Sequence, residues 1–322
     1  MFDELIPKNF NDFLFHKDII SKIKKYDKDN LVNLLFYGPK SSGKCTLIYA
    51  FIKYLYNLDN LNTEMVEYDI KINNNDVKIK SIQSKYHYEF FLYEYGLYDK
   101  HVLCNFIKDL ASSKNIINNG FKLIILHSID KLNKVAILAL RRIMELFTKS
   151  CRFIFTVNQL SKIDESIISR CLCMRVPYPT DSIDQYLDNC EIILKKTLNK
   201  NKIKNKADGN LFKLNTLILN ADYINPLNIY VKQINNIIDN NNKITFIDEI
   251  RKIIYKMHLL DFSPDEIIKK YVFYAINSDK YTDLQKHNII KQAAYNEYYS
   301  SKVNKYFFSL EHFFIYIKSI TI

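Results

Sequence analysis

One short segment constrains this chain more than any other. Residues 31–37 are an apolar, aromatic run that stops at Gly38, and residues 45–57 carry the apolar spacing of an amphipathic helix. Between them lies Gly38-Pro39-Lys40-Ser41-Ser42-Gly43-Lys44. A buried strand, a loop of the form Gly-x-x-x-x-Gly-Lys and a helix are the context that a phosphate-binding loop requires. The glycines let backbone amides close on phosphate. The helix N-terminus presents its positive dipole end, and Lys44 reaches the outer phosphates. Only 5 glycines occur in 322 residues, so two in one loop is a concentrated use of a scarce residue.

The rest of the chain fits an α/β plan that turns helical. Residues 64–82 alternate about an Asn-Asn-Asn-Asp turn, as a hairpin does. Residues 99–113 keep a helical period through Val102, Leu103, Phe106, Ile107 and Leu110. A second buried strand is expected at 121–126, a helix at 133–147 and a third strand at 151–157. Strands alternating with helices imply a parallel sheet wrapped by helices. A short apolar run at 172–176 ends at Pro177 and Pro179, which mark a domain edge. Residues 180–232 read as helical, Asn240-Asn241-Asn242 as a linker, and everything from 244 onward as helix.

Composition narrows the classes. Lys and Arg number 46 against 35 Asp and Glu, a net charge of +11. That excess fits a polyanion partner such as nucleic acid, or simply a Lys-rich soluble surface. The 6 cysteines are scattered without a Cys-x-x-Cys pair, so neither a disulfide framework nor a zinc site is expected, and no metal ligands are assigned. Reduced, mostly buried thiols point to an intracellular protein. No apolar run of about 18 residues exists, so no membrane span is expected. The opening Met1-Phe2-Asp3-Glu4 is acidic and reads as neither a secretory nor a transit signal.

The phosphate loop departs from its type at the metal. The residue after Lys44 should be Ser or Thr to hold Mg²⁺, and Cys45 stands there. A thiol is a poor ligand for this hard cation. Thr46 follows one residue late. The second strand should end in an Asp for Mg²⁺ and a Glu that orients water, but His127 and Ser128 take those positions. Asp130 lies two residues beyond. His127 has no ligand partner at a metal-binding spacing. Two readings follow: a nucleotide fold that has lost hydrolysis, or an ATPase whose ligands have shifted to Thr46 and Asp130.

Several further segments complete a family pattern. In order they are the phosphate loop, Asp130-Lys131-Leu132 after the second strand, Ala139-Leu-Arg-Arg-Ile-Met-Glu145, Cys151-Arg-Phe-Ile, Asn158, Ser169-Arg170-Cys171 and Arg175-Val-Pro177. Residues 10–16 and Gln292-Ala-Ala-Tyr-Asn-Glu297 add to it. Together they resemble a small subunit of the replication factor C clamp loader, an AAA+ protein, of the eukaryotic subunit 3/5 type whose own ATP site is degenerate. A source in a large DNA virus would suit the Asn/Lys/Ile bias.

The resemblance implies a RecA-like AAA+ domain at 1–178, a helical lid at 179–236 and an all-α collar at 237–322. It implies ATP or ADP as ligand, held by residues 38–46 (Gly38, Pro39, Lys40, Ser41, Ser42, Gly43, Lys44, Cys45 and Thr46) with Asn158 as the polar sensor beside the γ-phosphate, and with Mg²⁺ binding weak. Phe212 falls where the family carries a lid Arg, a further departure. Arg170 becomes an arginine finger acting in trans. Lys100, Lys131 and Lys134, at helix starts, become grips on DNA phosphate. Arg141 and Arg142 either couple neighbouring sites or form ion pairs, and residues 90–95 are either core or a clamp-contact edge. The implied partners are sibling subunits in a heteropentamer, a PCNA-type sliding clamp and primer–template DNA, with no membrane. The implied compartment is the nucleus or a cytoplasmic virus factory. Against this stand the active ATPase with shifted ligands and a structural DNA-binding protein that kept the fold alone.

Overall fold

The computed structural model describes residues 5–72, 75–92, 95, 98–113, 120–179, 182–194, 198–207, 209–220, 225–239, 246–259, 262–300 and 307–321. The hairpin turn at 73–74 and the Asn240–242 linker lie outside them. The chain divides into two compact units, Met1–Ala221 and Asp222–Ile322.

The first unit is built on a seven-stranded sheet. Its strands are β1 (Leu34–Tyr37), β2 (Glu64–Ile72), β3 (Asn75–Gln83), β4 (His87–Phe90), β5 (Lys122–Leu126), β6 (Cys151–Val157) and β7 (Leu172–Arg175), in the order β2-β3-β4-β5-β6-β1-β7. β4, β5, β6, β1 and β7 run parallel, while β2 and β3 form the expected hairpin and pair antiparallel to the edge. The 172–176 run, given no type by its sequence, becomes β7 because β1 offers it an open parallel edge.

The helices of this unit are α1 (Lys17–Ile23), α2 (Lys44–Tyr56), α3 (Asp99–His101), α4 (Lys108–Ser112), α5 (Lys134–Leu146), α6 (Glu165–Ile168), α7 (Ile183–Leu194), α8 (Lys200–Ala207) and α9 (Leu211–Leu219). A π-helical stretch, Val102–Ile107, joins α3 to α4, so the single helix expected at 99–113 is widened in its middle.

Period-2 alternation sends successive strand residues to opposite faces, and here both faces are buried. Leu35, Ile124, Leu126, Phe153 and Phe155 pack with α5 and the 102–111 segment. Leu34, Phe36, Leu123, Ile125 and Ile154 pack with α1 and α2. Phe90 and Leu92 are fully buried in the first of these cores, so within 90–95 the apolar residues Phe90 and Leu92 serve packing.

The second unit is entirely helical: α10 (Pro226–Asp239), α11 (Phe246–Leu259), α12 (Pro264–Ile276), α13 (Asp283–Ser300) and α14 (Phe307–Thr321). Residue 236, the expected end of the lid, falls inside α10, whose Leu227, Val231, Ile234 and Ile238 share one core with α11, α12 and α14. The start of α12 is written in Ser263-Pro264-Asp265-Glu266. Ser263 caps the Glu266 amide at 3.3 Å, and the Glu266 carboxylate accepts in return from the Ser263 amide at 3.1 Å. Buried Tyr271 donates to or accepts from Tyr281 at 3.0 Å, which satisfies both hydroxyls inside this core. Arg251 and Glu311 form a two-pronged ion pair at 2.7 and 3.1 Å between α11 and α14.

Candidate functional site

The loop after β1 sits at the C-terminal edge of the parallel strands, where β1 lies between β6 and β7; open α/β sheets bind ligands at such a switch point. Gly38 tucks against the chain after β7: a Cβ there would lie 2.0 Å from the Val176 carbonyl oxygen. Gly43 has φ +94°, a left-handed conformation, and starts α2. The loop carbonyls are tied down from outside. His16 bonds Ser42 O at 3.1 Å, Tyr178 donates to Lys40 O at 3.0 Å, and the Leu211 amide at the start of α9 donates to Ser41 O at 3.2 Å. Phe212, next along α9, is exposed.

Lys44 is buried and donates to Gly38 O at 2.7 Å, Pro39 O at 2.8 Å and Asn158 Oδ1 at 3.1 Å. Burial holds its ammonium down at about 8, against weaker upward pulls from Cys45 and Asp130. Asn158 follows β6 directly, so the expected loop and sensor residues meet in space. Ser42 Oγ is buried without a hydrogen-bond partner, and so is Asp130 Oδ1. An orphaned hydroxyl, and a cationic ammonium held by two loop carbonyls and Asn158, are what a phosphate would engage.

The metal positions are different. His87 and Glu89 of β4, His127 after β5 and Thr156 of β6 share the parity of Ile125 and Ile154, so all four face α2. His127 Nε2 stands 2.5 Å from Glu89 Oε1, and its Nδ1 stands 3.1 Å from Thr156 Oγ1 and 3.8 Å from Cys45 Sγ. Tyr49 of α2 donates to both Glu89 oxygens, at 2.9 and 2.8 Å. His87 Nε2 lies 3.9 Å from the second oxygen.

Burial opposes ionisation of Glu89, but His127, His87 and Tyr49 outweigh it and hold the carboxylate down at about 2. Burial likewise opposes charge on His127, and Cys45 and Glu89 outweigh it and hold the imidazole up at about 9. The two form a buried ion pair. His127 therefore does have a partner, one that no spacing in the sequence announced. The residues at the usual positions do not fit Mg²⁺: a thiol replaces the hydroxyl, an imidazolium replaces the acid, and the nearby Glu89 carboxylate is already engaged. Among the described residues no cluster of three or more His, Cys, Asp or Glu could hold a metal ion.

Arg170 lies apart from this loop. It is exposed at the end of α6, with Nη2 2.7 Å from Glu145 Oε1 of α5 and Nη1 donating to Ser166 O at 2.6 Å. Arg141 meets the same carboxylate at 3.3 Å, so it forms an ion pair within α5.

Lys100, Lys131 and Lys134 are exposed, and the helix starts that carry them are joined in a way the sequence hid. Buried Asp99 accepts from the Lys100 amide at 2.6 Å and from Asn133 Nδ2 and N at 2.5 and 3.1 Å. Asn133 caps α5 through Ala136 N at 2.8 Å. One carboxylate thus joins two helix starts and their lysines. Glu89, Tyr49, Thr156, Asp99 and Glu145 were not singled out by sequence. Only strand parity, once the sheet order is known, could have found the first and third.

Comparison with known proteins follows the same lines. The family described as DNA polymerase III, delta subunit, matches residues 16–180. Replication factor C subunit 3 of Arabidopsis thaliana is 32% identical over 202 residues, which cover 60% of this chain and 56% of that protein. The chain thus spans little more than half the length of that relative. A putative replication factor C small subunit of Acanthamoeba polyphaga mimivirus is 30% identical over 314 residues, covering 92% of this chain and 84% of the relative. Among solved structures, a point variant of RuvB from Thermotoga maritima superposes with a TM-score of 0.48 at 14% identity, over 86% of this chain and 80% of that one.

Proposed function

Because this chain belongs to the replication factor C small-subunit family, we propose that it is a small subunit of a clamp loader in DNA replication, holding nucleotide without hydrolysing it and lending Arg170 to a neighbouring subunit's ATP. The observation that carries this reading is the contrast between two sites. The chain's own phosphate loop has a buried ion pair where Mg²⁺ ligands belong, while Arg170 is exposed and held by surface carboxylate and carbonyl oxygens. A guanidinium so placed can neutralise charge on a γ-phosphoryl group presented by another subunit. The surface pair with Glu145 is worth about 0–1 kcal/mol, so phosphate can displace it.

In this reading Gly38, Lys44 and Asn158 face the phosphates of ATP or ADP. Lys100, Lys131 and Lys134 grip DNA phosphates, positioning the duplex without reading its sequence. The chain is then organised as an AAA+ domain, a lid and a collar within a heteropentamer that acts on a PCNA-type ring. The working compartment is the nucleus or a viral factory. No described helix is long and apolar enough to cross a membrane.

Reconstitution with sibling subunits tests it. DNA-stimulated ATP turnover should barely change with Lys44→Ala and should fall severalfold or more with Arg170→Ala; the opposite pattern would sink the proposal. One observation favours a second reading. The buried, unpartnered Asp130 Oδ1 suits a shifted metal ligand in an active ATPase. There, Lys44→Ala and Asp130→Asn would each remove turnover that Arg170→Ala leaves intact.

A further inference from the structure

The residues that displaced the metal ligands do more than remove them. The sequence change from acid to His at 127 needs only one substitution to abolish Mg²⁺ binding. The structure shows a larger arrangement: His127 is fixed on one edge by Glu89 and on the other by Thr156, and Tyr49 closes both Glu89 oxygens. Phe91 stacks on the imidazole, with ring centres 4.6 Å apart and planes 16° from parallel. An apolar pair would fill the same space without the cost of burying two charges. What the ionic arrangement provides is a fixed positive group in the metal slot. Its Nδ1 edge is 3.8 Å from Cys45, the residue that follows the phosphate-loop lysine.

We propose that this phosphate loop binds a nucleoside di- or triphosphate free of Mg²⁺, with the side chain of His127, held by Glu89, supplying the charge that a metal ion would otherwise bring to the phosphates. This rests on the nucleotide-binding reading above and goes beyond the loss of hydrolysis, since it assigns a ligand form and a residue to the altered site. A divalent cation entering beside an imidazolium and the Lys44 ammonium meets like charge from both. The Glu89 carboxylate, nearly without solvent contact, is already bonded to His127 and Tyr49, so a cation would have to compete with both for it. A phosphate entering the same place meets two cations and the amides of the α2 N-terminus. The sulfur of Cys45, 3.8 Å from His127 Nδ1, helps Glu89 keep the imidazole charged, so this site suits Cys at a position where a metal site demands a hydroxyl.

The test is equilibrium binding of a fluorescent ADP or ATP analogue to the full chain, once in EDTA and once in millimolar Mg²⁺. The expected affinity is highest in EDTA and falls in millimolar Mg²⁺, severalfold for the ADP analogue and more for the ATP analogue, because Mg²⁺ withdraws the free nucleotide. Affinity equal in the two buffers overturns the inference. His127→Asn should weaken binding about tenfold in EDTA, with no rescue by Mg²⁺, and a chain carrying His127→Asp with Glu89→Gln should bind better in Mg²⁺ than in EDTA. A second measurement needs no variant: ³¹P NMR of ADP bound to the wild-type chain, titrated with Mn²⁺. The bound signals should resist broadening at concentrations that broaden free ADP. Wild-type binding that requires Mg²⁺, or bound signals that broaden with the free ones, overturns the inference while leaving the nucleotide site standing. Binding by His127→Asn as tight as wild type also overturns it. No binding in either buffer overturns the nucleotide reading and this inference together.

Discussion

At the scale of single residues, the most telling group is a carboxylate no motif contains. Glu89 lies one strand away from the expected acid position and pairs with the His that stands there. One edge of the imidazole is bonded to it, and the other is turned to Thr156 and Cys45. The pair makes stability depend on pH in a definite direction. Glu89 is held at about 2 in the fold against an ordinary 4.5, so its contribution is present above 4.5 and lost as pH falls toward 2. His127 is held at about 9 against an ordinary 6.5, so its contribution is complete below 6.5 and lost as pH rises through 9. Both act together between about pH 4.5 and 6.5. The other titratable groups facing them are Cys45 and Tyr49 from α2 and His87 from β4. Against a His127→Gln, Glu89→Gln reference that keeps those neighbours, wild type should have its largest melting-temperature advantage in that window. The advantage should shrink steadily toward pH 9; a flat difference across the range would mean the pair is neutral in the fold.

At the scale of elements, the lysines proposed to grip DNA sit at helix starts, and their placement depends on caps. Asp99 and Asn133 bind the beginnings of α3 and α5 together, with exposed Lys100 next to Asp99 and exposed Lys131 and Lys134 on either side of Asn133. Each phosphate contact releases condensed counterions, contributing about 0.9 to the log–log salt slope of duplex binding. Replacing all three lysines by Ala should lower that slope by about 2 to 3 in the assembled complex and weaken every DNA sequence alike. An unchanged slope would remove DNA from this face. Asp99→Ala should produce part of the same loss without removing a single positive charge, because it frees the two helix starts from each other.

At the scale of the molecule, each of the two units has its own core. In the second, Phe313 and Phe314 are fully buried and Tyr271 meets both rings edge-on at 6.0 and 5.3 Å. Removing such a ring costs about 3–5 kcal/mol through lost burial and the cavity left behind. Phe314→Ala should therefore release amide-exchange protection across α10–α14. Affinity for nucleotide, which the proposed function assigns to residues of the first unit, should stay near that of wild type. Equal loss of protection at β5 and β6 would show that the units do not open separately.

The sequence alone determined the strand–loop–helix around Gly38 and Gly43, the hairpin, the strands at 121–126 and 151–157, and the helical second half. Each of these is decided by local periodicity or by the backbone needs of a few residues. It also marked Cys45 and His127 as poor Mg²⁺ ligands and Ser128 as no substitute for the Glu that orients water, a reading drawn from ligand chemistry at the family's positions. Three things were decided only by the tertiary structure. One is the type of the 172–176 run, fixed by the free edge of β1. Another is the partner of His127, because sheet order brings β4 beside β5 although their sequences are more than thirty residues apart. The last is the joining of two helix starts, and the lysines beside them, through one buried Asp99. Burial of a charged side chain leaves no periodic trace in sequence; it becomes stable only when the fold supplies the opposite charge and the hydrogen bonds that replace water.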